Sequence, residues 1–386
     1  MSYLSAVGIG LAVIAASETA SPGEPPAKGK AGSSQRRDIP ANTWMPAKAE
    51  FALPADIKDA RWVTTDGYCG STFRTASGEI ISRSGVRSKA MGLTPGFYSN
   101  ATLGWNLSTG KVRVIDVARH WGGGSYGGGR LLAGFKQNEM PTPRHTYDGL
   151  TYVPETDTMY FVLGANWRIG GRGADEAAKR QLAIDNRSTW KYSFKTGRWT
   201  RIDHNVYKFF KCSPYEAHLQ YWPEGKKLLF LNDGGSKYAQ FDLATEKWSQ
   251  VKLASRCPQS LYNARSTWDS KRALWVFRLG PKTCTFDPKT SSFTALPDAY
   301  DMPADRKDKR RSWKGIVYIP KHDTYLMTGP TGNETRVLKA GEAKWRTIAG
   351  GEIELVNGYP QYDPKTDRVG LIYQTKAFLF RYDPQK

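Results

Sequence analysis

Short apolar strands alternate with polar turns along most of the chain, and two recurring motifs account for this alternation. In the first motif, an aromatic or apolar strand leads through a polar turn into a strand anchored by Trp or Phe. Its copies read WKYSFKTGRWTRI from 190, YAQFDLATEKWSQV from 238, CTFDPKTSSFTAL from 284 and VLKAGEAKWRTI from 337. The anchoring residues Trp199, Trp248, Phe293 and Trp345 recur every 45 to 52 residues. Each copy predicts two short strands joined by a tight turn.

A second motif lies out of phase with the first and joins a strand of small residues to a very apolar strand. Its copies read DGLTYVPETDTMYFVLG from 148, AHLQYWPEGKKLLFLND from 217, ARSTWDSKRALWVFRLG from 264, KGIVYIPKHDTYLMTGP from 314 and GYPQYDPKTDRVGLIYQ from 358. The two motifs together give four strands in about 45–50 residues, which is typical of a β-propeller blade. Kelch repeats come closest in period. No unit has the 3.6-residue apolar period of a helical solenoid.

The repeats predict an all-β fold, a single propeller of four-stranded, kelch-like blades over residues 44–386. Five units are clear, and residues 61–118 supply a sixth. Because residues 61–135 have room for two degenerate blades, we expect seven blades, of which six can be counted. The last unit ends without a fourth strand, so we expect an N-terminal strand near 49–54 to complete it and close the ring.

Composition and charge narrow the range of partners. The chain has 386 residues, with 56 Lys and Arg against 36 Asp and Glu, a net charge of +20. A mean hydropathy of −0.56 excludes a polytopic membrane protein. The charge favours a polyanionic partner. We expect an anionic polysaccharide and no nucleic acid, because we find no reader motif for nucleic acid and no aromatic residues interleaved with the basic ones. We also expect a monomer.

The N-terminus suggests export. Residues 3–16 form an apolar run that is too short to span a bilayer and suits a signal peptide, although no basic residue precedes it. We therefore assign residues 1–20 to a signal peptide and residues 21–43 to a disordered linker. The protein is then expected to be secreted or periplasmic, with no membrane span.

Candidate site residues lie where the innermost strand of each blade begins, around the central channel. Ordinary propeller units tolerate small residues there, but this chain places basic and phenolic ones. We propose His145, His120, Tyr215 and Arg265 as catalytic. As substrate-binding residues we propose Arg144, Tyr207, Arg187, Tyr262, Asn263 and Arg311. The alternative for His145 is a structural role, in which its side chain forms a hydrogen bond to a loop.

A metal site is a further expectation. Cys212, His218 and Cys257 precede or open neighbouring innermost strands, so they could converge on a structural zinc ion near the axis. The alternative is a set of ordinary buried cysteines. The four cysteines of the chain are too sparse for a disulfide scaffold.

The segment PRHTYDGLTY, a second histidine about 25 residues before it and the basic channel mouth resemble the β-propeller polysaccharide lyases, especially the ulvan lyases. That resemblance implies a secreted, seven-bladed enzyme that cleaves a sulfated, uronic-acid-containing polysaccharide by β-elimination. It also implies catalysis by His, Tyr and Arg, with a structural zinc in some members. His145 and His120 match the family's pair of histidines in placement, whereas Tyr215 and Arg265 are chosen here from strand position.

The chemistry fits these residues. In β-elimination, Arg or protonated His neutralises the carboxylate of the uronate, and a Tyr or neutral His moves the protons, so no cofactor is required. A glycoside hydrolase normally needs two carboxylates, and only Glu216 and Asp148 stand near the strand starts. Two alternatives stay open: a non-catalytic kelch-type module that binds glycan or protein, and a propeller glycosidase acting on acidic sugars.

Overall fold

The computed structural model describes residues 39–53, 55, 69–83, 101–116, 140–141, 144–164, 187–203, 206, 210, 217–262, 264–299, 315–328, 334–349, 358–373 and 375–386. These residues form a six-bladed β-propeller of antiparallel sheets. The predicted signal peptide lies outside them. In the described ranges, no helix is long and apolar enough to cross a membrane.

Each blade runs from an innermost strand at the axis to an outermost strand at the rim. Blade I contains β3 (Ser71–Arg74), β4 (Glu79–Arg83), β5 (Thr102–Asn106) and β6 (Lys111–Asp116). Blade II contains β7 (Leu150–Val153), β8 (Thr158–Val162), β9 (Thr189–Ser193) and β10 (Arg198–Ile202). Blade III contains β11 (His218–Trp222), β12 (Lys227–Asn232), β13 (Lys237–Asp242) and β14 (Lys247–Gln250).

Blade IV contains β15 (Arg265–Asp269), β16 (Leu274–Leu279), β17 (Lys282–Asp287) and β18 (Ser292–Leu296). Blade V contains β19 (Ile316–Ile319), β20 (Thr324–Thr328), β21 (Thr335–Lys339) and β22 (Arg346–Ala349). Blade VI contains β23 (Gln361–Asp363), β24 (Arg368–Tyr373), β25 (Lys376–Phe380) and the N-terminal strand β1 (Trp44–Ala47). A further N-terminal strand, β2 (Glu50–Ala52), adds to blade I in parallel with β6.

The hydrophobic core is divided among the junctions between blades. Side chains alternate along each strand, so a strand in the middle of a blade serves two cores at once. In β12, Leu228 and Phe230 pack towards blade II, whereas Leu229 and Leu231 pack towards blade IV. This double burial explains the continuous apolar run in the second strand of each repeat.

Six such cores close the ring, and they decide the blade count. One core lies at each junction from blade I to blade VI, and Trp105 and Leu379 belong to the core that joins blades VI and I. The expectation of seven blades is therefore wrong, because every described blade packs directly on its two neighbours. The seven-bladed architecture that the resemblance implies is not the architecture of this chain.

The N-terminal segment closes the propeller, as expected, but with an earlier strand. Trp44–Ala47 pairs antiparallel with β25, while Glu50–Ala52, within the segment expected to do so, pairs with β6 of blade I instead. The N-terminal segment thus holds both sides of the seam between blades VI and I. Residues at the end of the expected linker also contact the propeller, since Ile39 is buried and Asn42 donates its backbone N–H to the carbonyl oxygen of Arg381.

A repeated polar latch joins blades where their innermost strands end. Tyr152, Tyr318 and Tyr362 each donate a hydrogen bond to an aspartate five residues later. In each latch a cation from the preceding blade binds the same aspartate. The three pairs are Arg74 with Asp157, Arg272 with Asp323, and Lys321 with Asp367. The sequence pattern Tyr-x4-Asp in the second motif is the source of these latches.

The latch at Asp323 gives a pH-dependent stability. The hydrogen bonds from Arg272 hold the pKa of Asp323 well below its ordinary value. A depressed carboxyl pKa stabilises the folded state above about pH 4, and this stabilisation is lost as the pH falls further. We expect Asp323→Asn to lower the free energy of unfolding by roughly 1–2 kcal/mol at pH 7. The difference from wild type should shrink between about pH 4 and pH 2 in acid-titrated thermal melts.

A matched control is Asp298→Asn. Asp298 pairs with Lys282 on the surface, and both side chains are about half exposed. Exposed pairs are worth well under about 1 kcal/mol, so this variant should melt almost like wild type at every pH. An Asp323→Asn deficit that is unchanged at pH 2 would show that the latch does not act through charge.

Candidate functional site

The starts of the innermost strands converge on the axis and form one polar cluster. We define the axial cluster as Asp148, His218, Arg265, Ser266 and Tyr359. Asp148 precedes β7 and Tyr359 precedes β23, while His218 and Arg265 open β11 and β15. The cluster therefore joins blades II, III, IV and VI. Its members come together because each repeat places the same strand position at the channel mouth.

Asp148 is the centre of a hydrogen-bond network that ties three blades together. One carboxylate oxygen accepts a hydrogen bond from Ser266 Oγ and lies 3.0 Å from His218 Nδ1. The other ring nitrogen of His218, Nε2, lies 3.1 Å from the carbonyl oxygen of Leu261. Both ring nitrogens of His218 therefore face acceptor oxygens, one from blade II and one from the segment that leads into blade IV. The network is buried between blades.

This geometry excludes two roles for His218. Both ring nitrogens already lie within hydrogen-bond distance of an oxygen atom of the protein, so neither is open to a metal or to a substrate. Ser266 bonds the carboxylate rather than the imidazole, so the three residues do not form a nucleophilic triad, in which the histidine activates the serine. His218 and Asp148 therefore hold the blades in place.

The zinc site is not supported by the contacts of its predicted ligands. His218 uses both ring nitrogens, and Cys257 Sγ lies 3.0 Å from Cys284 Sγ. Cys212 lies outside the described residues. Within the part of the chain that the structure describes, no group of three or more His, Cys, Asp or Glu side chains is placed to hold a metal ion.

Arg265 and Tyr359 are in contact although their blades are not adjacent in the ring. The Cζ atom of the Arg265 guanidinium lies 4.4 Å from the centre of the Tyr359 ring, a cation–π contact between blades IV and VI. Both residues are nearly enclosed, with exposed fractions of 2% and 5%. The Tyr359 hydroxyl has no hydrogen-bond partner among the residues described here. Leaving a buried hydroxyl unsatisfied costs about 1–3 kcal/mol, which marks this atom as a candidate ligand contact.

The charge state of Tyr359 follows from its surroundings. Burial raises the pKa of its phenol above the ordinary value, although the nearby guanidinium of Arg265 acts in the opposite direction. Tyr359 is therefore a neutral phenol at physiological pH and serves as a proton donor rather than as a base. The charges of Asp148, Cys69 and Tyr147 also influence its pKa, so these groups lie close around it.

His145 comes three residues before Asp148 of the axial cluster. It is 5% exposed, and its ring lies edge-on to the Tyr147 ring at 5.9 Å between centres. Tyr147 has a positive φ of 47°, which is strained for a bulky residue. Its carbonyl oxygen lies 2.1 Å from the point where a side chain at Gly70 would begin. Only glycine fits at position 70, and the close approach of blades I and II fixes the backbone beside His145.

Arg144 is placed differently from its neighbour. It is buried between blades I and II, with its guanidinium 5.3 Å from the Phe161 ring and a hydrogen bond to the Leu163 carbonyl oxygen. These contacts bury Arg144 in the packing of blade II, and its assignment to substrate binding stays a prediction. Arg187 is exposed ahead of the third strand of blade II, two strands away from the innermost one.

Tyr262 is an exposed aromatic residue that comes three residues before Arg265 in the sequence. Its side chain is 59% exposed, on the segment that leads from blade III into Arg265. The preceding residue, Leu261, accepts the hydrogen bond of His218, so the segment is anchored beside the axis. The predicted site residues His120, Tyr207, Tyr215, Asn263 and Arg311 lie outside the described residues.

Sequence reasoning did not assign Tyr359 to the site. Its position just before an innermost strand, which it shares with the other candidates, could have indicated it. Its contact with Arg265 joins two blades that are not adjacent, and no single repeat encodes such a contact. The chain matches no protein-family model, and it matches none of the curated proteins with which it was compared.

Proposed function

We propose that the protein is a secreted lyase that cleaves a sulfated, uronic-acid-containing polysaccharide by β-elimination at the axial cluster. The observation that carries this proposal is the buried Tyr359 hydroxyl, unsatisfied within the described residues and placed beside the Arg265 guanidinium. A carboxylate that binds Arg265 would bring a sugar ring to this hydroxyl. The net charge of +20 supports attraction of a polyanion.

Each step of the reaction has a residue suited to it. Arg265 would neutralise the uronate carboxylate, which makes the proton at C5 acidic enough to remove. His145, as a neutral imidazole, would take that proton. The C5–H electrons form the C4=C5 double bond as the C4–O bond breaks, and Tyr359 would donate its proton to the leaving oxygen. This gives Tyr359 a catalytic role in place of Tyr215, the tyrosine that was predicted from strand position.

The carboxylate side chain in the axial cluster favours elimination over hydrolysis. A glycoside hydrolase places two carboxyl groups on either side of the scissile bond. Asp148 is the carboxylate of the axial cluster, and it is already bonded to His218 and Ser266. Exposed Tyr262 offers an aromatic face on which a sugar ring could stack at the mouth.

The burial of the site means that this mechanism requires the site to open. Arg265, Tyr359 and His145 are nearly buried, so the site must open before a polymer reaches them. Exclusion of water then strengthens the interaction between Arg265 and the substrate carboxylate. The same enclosure, together with the Asp148 network across three blades, favours the second candidate: a propeller that binds anionic glycan without cleaving it.

One assay separates these functions. We expect incubation with a panel of uronate-containing polysaccharides to produce the ultraviolet absorbance of an unsaturated uronate. The matched control is the same polymer with its carboxyl groups reduced to alcohols, which cannot bind Arg265 as an anion and should give no product. Salt-sensitive binding without new absorbance would identify a glycan-binding module. New reducing ends without absorbance would identify a hydrolase.

A further inference from the structure

Two cysteines on different parts of blade IV come into direct contact. Cys257 lies on the segment that connects β14 to β15, and Cys284 lies within β17. Their sulfur atoms are 3.0 Å apart, and both residues are free thiols. A disulfide has an S–S distance of about 2.05 Å, so a small side-chain rotation would bring the two atoms to bonding distance.

The backbone around Cys257 is fixed in the position that makes this contact. The backbone N–H of Ala254 donates to the carbonyl oxygen of Ser291 at 2.9 Å. Ser255 Oγ accepts from the N–H of Phe293 at 2.7 Å and donates to the carbonyl oxygen of the same residue. The connecting segment is thus held on the outermost strand of blade IV, two residues before Cys257. The thiol contact follows from packing that exists without any covalent bond.

The two thiols differ in exposure and in pKa, so that Cys257 suits the attacking role in disulfide exchange and Cys284 the resolving role. Cys284 is fully buried in the core between blades III and IV, whereas Cys257 is partly exposed. The hydrogen bond from Cys284 lowers the pKa of Cys257. The same contact, with burial, raises the pKa of Cys284. Cys257 is therefore the thiolate that an external reagent meets first.

We propose that Cys257 and Cys284 are a redox-active dithiol that closes to an intramolecular disulfide. The oxidant is a small disulfide or a disulfide-carrying oxidoreductase. The Cys257 thiolate attacks one sulfur of the oxidant and releases the other as a thiol, which forms a mixed disulfide. Cys284 then loses its proton and attacks Cys257 Sγ, and the second half of the oxidant leaves as a thiol. The protein loses two hydrogens, and the oxidant is reduced to two thiols.

The disulfide would fasten the connecting segment to blade IV beside the axis. Cys257 Cβ lies against Gly235, and Leu261 packs on the same glycine. Leu261 also accepts the hydrogen bond of His218. Closure of the disulfide would therefore restrict the segment that carries Leu261 and Tyr262 at the channel mouth. This inference does not depend on the proposed lyase activity.

The test uses the full chain, reduced and then treated with oxidised glutathione. We expect the mass to fall by two hydrogens, two thiols to become inaccessible to an alkylating reagent after denaturation, and peptide mapping to link residues 257 and 284. Because the disulfide closes a loop of about 28 residues, the oxidised form should melt roughly 3–7 °C higher than the reduced form.

Single-cysteine variants decide the order of the steps. Cys284→Ala removes the resolving thiol, so Cys257 should accumulate as a stable mixed disulfide with glutathione. Cys257→Ser should leave the buried Cys284 unmodified, and the control Cys212→Ser should still form the disulfide. Two alkylatable thiols at 257 and 284 after oxidation of wild type would overturn the proposal, as would linkage of either residue to Cys212. If Cys284→Ala fails to fold, the wild-type peptide map alone still decides.

Discussion

Removal of residues 1–48 is expected to abolish cooperative folding, because it deletes the strand that closes the propeller. The deletion leaves β25 as an unpaired edge and removes Trp44 from the core between blades V and VI. The Trp44 indole also donates a hydrogen bond to Thr335 at 2.8 Å. Loss of a buried Trp alone costs about 3–5 kcal/mol, and a whole domain is stable by only about 5–15 kcal/mol.

The matched control for this truncation removes residues 1–38 alone. It leaves every described strand in place and is expected to melt cooperatively, as followed by circular dichroism and size exclusion. Trp44→Ala in the full chain should fall between the two, because it keeps the backbone pairing with β25 but loses the indole. A cooperative transition near the wild-type temperature after removal of 1–48 would show that the ring does not depend on β1.

The sequence does indicate the closing strand, although we predicted that residues 49–54 would form it. In the repeats, the anchoring aromatic of the outermost strand donates to the preceding blade, as Trp248 does to Thr189. Trp44 does the same to Thr335, so it holds in blade VI the position of the repeat anchor. The anchor position of the repeats therefore indicates Trp44, rather than residues 49–54, as part of the closing strand. The number of blades could not be predicted in this way. It depends on the rotation between neighbouring blades, which no single repeat encodes.

Strand position placed Arg265 and His218 in the axial cluster, but it could not assign their partners. Strand position is encoded locally, because every repeat begins its innermost strand with the same motif. Contacts between blades depend on how the closed ring brings their strand starts together. Arg265 stacks on Tyr359 of blade VI, and His218 bonds Asp148 of the adjacent blade II. The same local pattern thus yields a candidate catalytic pair in one place and a structural hydrogen-bond network in the other.

Tyr359→Phe is expected to separate function from stability at the axial cluster. The Tyr359 hydroxyl has no hydrogen-bond partner among the described residues, so its removal should leave the melting temperature unchanged or raise it. If the phenol is the proton donor to the leaving oxygen, turnover should fall by roughly 10²-fold or more, the range expected for loss of a general acid. Thermal melts and the absorbance assay for the unsaturated product measure the two effects on one preparation.

The matched control is Tyr318→Phe, which removes a hydroxyl that donates to Asp323 at 2.6 Å in the latch between blades IV and V. That variant should lose about 1 kcal/mol of stability and keep full turnover, the reverse of the result expected for Tyr359→Phe. Full turnover in Tyr359→Phe would remove the axial hydroxyl from the reaction, and a large loss of stability would show that it is bonded within the fold.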